Sequence, residues 1–329
     1  MNYSFAGIRI GHATDEAYHT GCTVFLCPPG TVGSGDVRGP APGSRESALL
    51  SPEKPVSVVN AVVLSGGSAF GLATADGVMR YLAEQGIGHP TPIRPVPIVP
   101  AAIVYDLFLS RGQRLPDSAM GYAAALAASE SDGVVAQGNV GAGAGVTVGK
   151  WGGFATMMKG GFGLAGVEMD GLEVWAAAVV NAVGDVLNED GTVLAGARAA
   201  GDAPGWLVAQ DPYRRFPDRP PAALGTNTTL VLIATNARLD KIACHRLAQR
   251  GHDGLAQAMR PAHTTHDGDT VFALATGGYI GERPAGFDTV ANVAVEMVAE
   301  AIRNGVRHAA TVHDVPGIGA IPGLAGTDG

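Results

Sequence analysis

The sequence predicts a layered α/β fold, an antiparallel or mixed two-sheet core covered by helices. Apolar β-branched runs, such as Val58-Val59-Asn60-Ala61-Val62-Val63-Leu64 and Leu230-Val231-Leu232-Ile233-Ala234, read as buried strands. Several strands fall in pairs, 5–12 with 22–27 and 154–167 with 172–182, which suits hairpins better than a simple βαβ series. Helical stripes separate the pairs, and hydrophobic residues (46%) far outnumber charged ones (16%), enough for a large core. The 48 Gly and 21 Pro in 329 residues imply many turns and close backbone approaches. They follow no collagen period, and no repeat of 20–50 residues suggests a solenoid.

In chain order, the pair 5–12 and 22–27 is followed by a Gly/Pro-rich loop over 30–44. A strand over 56–64 runs into Ser65-Gly66-Gly67-Ser68 and a helix over 69–84, with Ser68 as N-cap and Gly86 as stop. This strand–turn–helix points backbone N–H groups at whatever sits above it, either an oxyanion or carboxylate cradle or simply tight packing. Residues 90–100 are proline-dense and extended, and 103–107 precede a helix over 118–129. After the Gly-rich stretch 138–149 and the second strand pair, 187–193 reads as a hairpin turn. Arg214 to Pro221 reads as an exposed linker ahead of a strand over 228–235. A helix over 240–259, interrupted near Gly251, ends before Pro261. The turn Thr265-His266-Asp267-Gly268-Asp269-Thr270 leads into a strand over 271–276. Asp288 caps a last helix over 289–304, and the tail from 316 is Gly-rich.

Several functions are excluded. A net charge of −8 argues against nucleic acid, because phosphate binding needs clustered Lys and Arg. Gly138 to Lys150 fails as a phosphate loop: Ala144 stands where the first Gly belongs, and Trp151 where Ser or Thr would hold magnesium. Cys22, Cys27 and Cys244 show no zinc or disulfide spacing and read as buried free thiols. No metal or cofactor is expected. Without a signal peptide or a run of about 18 apolar residues, a soluble cytoplasmic protein with no membrane partner is expected. Asn227-Thr228-Thr229 matches a glycosylation sequon, which carries no weight in that setting.

The informative junction is Gly225-Thr226-Asn227-Thr228-Thr229, polar at the mouth of an apolar strand. The chain is expected to cut itself between Asn227 and Thr228. The Thr228 hydroxyl would attack the Asn227 carbonyl, and the resulting ester would be hydrolysed. The freed Thr228 is then nucleophile through its hydroxyl and general base through its α-amine, which titrates near about 7.7–8.0 in free peptides.

Asn227-Thr228-Thr229, Asp267-Gly268-Asp269-Thr270, and Asn181 and Lys150 upstream together resemble the self-processing peptidase family S58. That family includes L-aminopeptidase/D-esterase, β-aminopeptidases and 6-aminohexanoate-oligomer endohydrolases. The likeness spans Gly7 to about Ala301 and is nearest the nylon-oligomer branch, with its Asn–Thr junction and Asp-Gly-Asp-Thr turn. The aminopeptidase branch typically has Gly–Ser at the junction. The resemblance implies one four-layer αββα domain of the N-terminal-nucleophile kind, processed into chains 1–227 and 228–329. It also implies a homo-oligomer, a tetramer of processed heterodimers, acting on small peptide or amide substrates.

Site roles follow from the same resemblance. Thr228 would be the nucleophile and Asn181 an oxyanion donor. Lys150 would tune the Thr228 amine and hydroxyl, and Asp267 and Asp269 would orient the ammonium groups. Tyr105 would be a second oxyanion donor, and Ser65, Gly66, Gly67 and Ser68 would line the pocket. Without the family, the acidic turn could be an ordinary turn or a calcium-like loop, Lys150 a solvated side chain, and Asn181 a partner for backbone groups. His266 lies in that turn and His263 before it, and the mechanism requires neither. The activity expected is amide hydrolysis of short peptides or ω-amino-acid oligomers. Rivals are aminopeptidase or β-aminopeptidase action, acyl transfer like that of ornithine acetyltransferase, and a non-catalytic scaffold on the same fold.

Overall fold

The computed structural model describes residues 5–199, 205–210, 226–282 and 284–321. The linker 214–221, Gly225 and the tail beyond 321 lie outside the described residues.

Among the described residues, two five-stranded mixed sheets carry the fold. The first has the order β1 (Arg9–Asp15), β2 (Thr20–Leu26), β5 (Ala61–Ser65), β6 (Ala101–Ile103), β4 (Ser44–Arg45). The second has the order β3 (Val32–Val37), β15 (Thr270–Ala275), β13 (Thr228–Thr235), β10 (Leu172–Asn181), β9 (Phe162–Met169). Neighbours run antiparallel except β5 with β6 and β13 with β15. Two small sheets, β7 (Thr147–Val148) with β8 (Met158–Lys159), and β12 (Val193–Ala195), β11 (Asp185–Leu187) and β14 (Met259–Arg260), brace one end.

The strand sequences explain the layers. Along β13, Leu230, Leu232 and Ala234 join Phe25, Leu64, Val179 and Phe272 between the two sheets. The intervening Val231 and Ile233 face α5 (Lys241–Ala258) and α6 (Phe287–Arg307), packing with Leu247, Leu255, Val298 and Ile302. Successive strand residues point to opposite faces, and both faces of β13 are covered, so its sequence is apolar throughout. On the first sheet, Val24 and Val63 pack against Val78 and Leu82 of α1 (Thr74–Glu84) and Ala124 and Ala128 of α3 (Ser118–Glu130). Two short helices, α2 (Leu107–Ser110) and α4 (Leu207–Gln210), complete the set among the described residues. The result is an αββα sandwich, and each fully buried Leu, Ile or Val contributes about 1.5–3 kcal/mol to it.

Several elements differ from the sequence reading. The supposed loop 30–44 contains β3, whose Gly-rich sequence hides a strand paired along β15. The run 56–64 is regular only from Ala61. Ser68 is no N-cap: it has φ +54° and opens a 3-10 turn, Ser68–Ala73, ahead of α1. Residues 154–167 break into a 3-10 turn, β8 and β9, because β8 pairs away with β7. Asp288 lies in the first turn of α6, whose N-cap is Gly286, and α6 runs on to Arg307. Helix α5 is unbroken at Gly251 and starts on Asp240, whose carboxylate accepts the Ala243 N–H.

Close helix contact explains the glycines in α5. A Cβ on Gly254 would lie 2.5 Å from the Val295 carbonyl oxygen of α6, whereas one on Gly251 would meet the ends of the Ile233 and Val271 side chains. Alanine adds about 1 kcal/mol of helix propensity at either site, and overpacking against backbone costs about 1–3 kcal/mol. Gly254→Ala is therefore expected to lower stability more than Gly251→Ala, read as urea midpoints at constant slope. The reverse order would refute the packing argument.

Candidate active site

The site begins with strand register. Antiparallel pairing sets Asn181, the last residue of β10, opposite Thr228, the first of β13. Thr228 shares its face with Leu230, and Asn181 with Val179, so both belong to the face between the sheets. Thr229 belongs to the opposite face, where its hydroxyl meets the Met259 sulfur at 3.4 Å. Alternation alone thus separates the two threonines.

Asn181 is buried and fully engaged. Its Nδ2 donates to the carbonyls of Tyr105 and Thr226, each at 3.1 Å. Its Oδ1 accepts from the Thr147 N–H at 3.1 Å and from Lys150 Nζ at 2.9 Å. Lys150 Nζ also donates to the Asn181 carbonyl at 3.0 Å. Gly149, at φ +69°, turns the chain so that Lys150 enters the interior. Burial pulls the Lys150 ammonium down to about 7, against the opposing pull of Asp267.

The 267–269 turn closes over the junction. Asn227 bridges Asp267 in parallel, and the Gly268 N–H donates to the Asn227 carbonyl at 2.9 Å. The Thr228 hydroxyl donates to the same oxygen at 2.5 Å. A Cβ on Gly268 would sit 2.7 Å from both Thr228 Oγ1 and the Ala41 carbonyl oxygen, so the close approach requires glycine. Asp269 Oδ1 accepts the Thr229 N–H at 2.7 Å. Burial, reinforced by the charge of Asp269, pushes Asp267 up to about 6, while hydrogen bonds from Thr264 and the charge of Lys150 act the other way. Thr228, Asn181, Lys150, Asp267 and Asp269 therefore form one buried cluster around the Asn227–Thr228 peptide.

The remaining expected residues sit differently. Tyr105 reaches Asn181 through its backbone carbonyl, an acceptor that cannot serve an oxyanion, and its ring lies edge-on to Phe108 at 5.5 Å. The N–H groups of the 65–68 turn are used internally: Gly66 donates to the Gly21 carbonyl and Ser68 to that of Val104. Gly67 donates to Asp106 Oδ1 at 2.7 Å. The cradle expected there is thus filled by the chain's own Asp106, which Thr20 Oγ1 also meets at 2.6 Å. Ser65 Oγ is buried without a hydrogen-bond partner among the described residues. His266 contributes its carbonyl to Asn227 Nδ2 at 3.5 Å. No group of three His, Cys, Asp or Glu among the described residues is arranged to hold a metal ion.

The sequence reading missed Asp106, Lys159, Thr264 and the Gly268 N–H. Thr264, three residues before Asp267, is a side-chain-to-turn spacing that could have been recognised. The pairing of Asp106 with a glycine turn 39 residues away leaves no local signal.

Comparison with known proteins fits this geometry. The structure aligns with a β-aminopeptidase of Burkholderia (TM-score 0.67, 24% identity, 94% of this chain and 88% of that one). It aligns equally well with an L-aminopeptidase D-Ala-esterase/amidase of Ochrobactrum anthropi (TM-score 0.67, 19% identity, 92% and 84%), described as a variant of the N-terminal-nucleophile hydrolase fold. The fold is therefore of the N-terminal-nucleophile hydrolase class. The profile of peptidase family S58 matches residues 5–318, and the chain belongs to that family. It is 40% identical to an uncharacterised aminopeptidase of Mycobacterium tuberculosis over 94% of both chains. It is also 31% identical to a 6-aminohexanoate-oligomer endohydrolase of Paenarthrobacter ureafaciens, over 84% of this chain and 75% of that one. The protein is an amide-bond hydrolase.

The Lys150 shift gives a test independent of activity. Its ammonium falls from 10.5 to about 7 on folding, so between those values the native state holds fewer protons than the unfolded chain. The burial penalty is full below about pH 7 and is relieved as pH rises toward 10.5, so this group makes stability rise across that window. Lys150→Met is expected to flatten that rise in urea midpoints measured from pH 7 to 10. An unchanged slope would show that Lys150 is not buried as a titrating ammonium.

Proposed function

We propose that the protein processes itself at Asn227–Thr228 and then uses Thr228 to hydrolyse amide bonds in short peptides or ω-amino-acid oligomers of the 6-aminohexanoate type. The observation that carries this reading is the convergence of the Thr228 hydroxyl and the Gly268 N–H on the Asn227 carbonyl, beside a buried Lys150. In processing, Thr228 Oγ attacks the Asn227 carbonyl carbon while the Gly268 N–H takes up the developing negative charge. Lys150, with its ammonium drawn down to about 7, is partly unprotonated near neutrality and suited to receive the hydroxyl proton. Collapse of the adduct, with Lys150 returning that proton to the departing nitrogen, breaks the C–N bond, leaves the acyl group on oxygen and frees the Thr228 amine, and water then hydrolyses the ester. Once Thr226 moves away, Asn181 Nδ2 is free to donate to the oxyanion of a substrate, which passes through an acyl-enzyme on Thr228.

The endohydrolase relative supports the oligomer substrate class. The aminopeptidase names of the 40–42% identical relatives favour a second reading, removal of N-terminal residues from peptides. A panel of amino-acid amides, β-amino peptides and 6-aminohexanoate oligomers separates the two.

The direct test is denaturing electrophoresis. The 33.3-kDa chain is expected to give bands of about 23 and 10 kDa, its mass divided at residue 227. Thr228→Ala is expected to remain full length and to lose hydrolysis to the level of the uncatalysed reaction. An uncleaved wild-type chain after prolonged incubation, or an active Thr228→Ala, would sink the proposal.

A further inference from the structure

Both carboxylates of the 267–269 turn end on one dipeptide. His263 offers its backbone N–H at 3.1 Å and its ring Nδ1 at 2.7 Å to Asp269 Oδ2. Thr264 donates its backbone N–H and its hydroxyl to Asp267 Oδ2, both at 2.7 Å. Four donors from two adjacent residues thus cover two acids that stand two positions apart. With Asp269 Oδ2 as the acceptor, the Nδ1 of His263 carries the shared proton.

The dipeptide is itself braced. His263 holds a left-handed backbone at φ +56°. Its ring packs edge-on to His252 of α5, with centroids 4.8 Å apart. His252 Nε2 lies 3.3 Å from the Asp36 carbonyl and 3.4 Å from Asp36 Oδ2 on β3. Burial, with the neighbouring His263, draws His252 down to about 4, so its ring is neutral at ordinary pH and acts as a packing partner. The brace therefore runs from β3 through α5 to the turn beside Thr228.

We propose that His263 and Thr264 form a positioning clamp that keeps Asp267 and Asp269 separated and fixed beside the Asn227–Thr228 junction. The catalytic part of this inference rests on the function proposed above; the clamp itself does not. Two buried carboxylates so close in the chain repel, and each bond donated to the charged form opposes protonation. The groups facing Asp267 are Asp269, Lys150 and Thr264, with His263 behind Asp269.

The test uses the intact, uncleavable Thr228→Ala chain and follows the Asp267 carboxyl by carbon-13 NMR as pH is varied. Thr264→Val removes the hydroxyl but keeps shape and backbone N–H, and is expected to make Asp267 about tenfold weaker as an acid. Thr264→Ser is expected to restore the parent midpoint. An unmoved midpoint in Thr264→Val overturns the clamp, whether or not the chain hydrolyses anything. In the cleavable chain, Thr264→Val is expected to shift the acidic limb of kcat/KM upward by the same amount. A limb that stays put while the midpoint moves overturns the positioning role. Failure of wild-type cleavage at Thr228 would instead strike the proposed function, leaving the titration to decide the clamp.

Discussion

The register of β10 against β13 is the constraint on which the site depends. It sets Asn181 across from Thr228 at the open end of two strands with buried side chains. A slip of one residue would turn Val179, Leu230 and Leu232 out of the space between the sheets and bring Val180 and Val231 in. Thr228 and Asn181 would turn with them, toward α5 and α6. The core and the candidate site are therefore held by the same alternation, and one cannot be shifted without the other. The parallel partner β15 extends the logic: its register with β13 brings the 267–269 turn beside the start of β13.

Around this register the interior is unusually polar. Two buried lysines each feel a buried aspartate, Lys150 with Asp267 and Lys159 with Asp106, and burial moves all four toward neutrality. Lys159 Nζ donates to the carbonyls of Gly143 and Gly160. The two pairs meet at Thr147, whose N–H holds Asn181 Oδ1 and which pairs with Lys159 across β7 and β8. The Ser65–Ser68 turn belongs to this wedge through Gly67 and Asp106, so its glycines serve the support of the site.

How much of this was legible depended on whether the signal was local. Strands β10 and β13 announced themselves because both faces are buried and the sequence is apolar throughout. The acidic turn, Lys150 and Asn181 are grouped by the family resemblance that the Asn–Thr junction and the Asp-Gly-Asp-Thr turn carry; taken one at a time, each reads equally well as ordinary structure. Strand β3 escaped because Val32-Gly33-Ser34-Gly35 lacks bulky side chains: a Cβ on Gly33 would collide with Val59, so the small residues answer to packing no local pattern reveals. Gly251 follows the same rule: it interrupts nothing in α5 and stays small against the Ile233 and Val271 side chains. Tyr105 enters the expected site only through the resemblance, whereas the contact of its carbonyl with Asn181 is decided by the backbone path. The Gly268 N–H was invisible for a related cause: every residue but proline has one, and only the parallel bridge to Asn227 aims it.

The intact chain also separates two tasks that the resemblance had merged. The Gly268 N–H is engaged by the Asn227 carbonyl, and Asn181 Nδ2 by that of Thr226, one residue upstream. On the proposed chemistry these donors serve in succession. Gly268 addresses the carbonyl that is attacked during processing. Asn181 cannot meet a substrate oxyanion until the Thr226 carbonyl has left it. Lys150 remains bound to both oxygens of Asn181, so a donor released from Thr226 would keep its orientation through its acceptor side. Cleavage would then do more than liberate an amine: it would withdraw the chain's own carbonyl from a donor already aligned by Lys150 and Thr147.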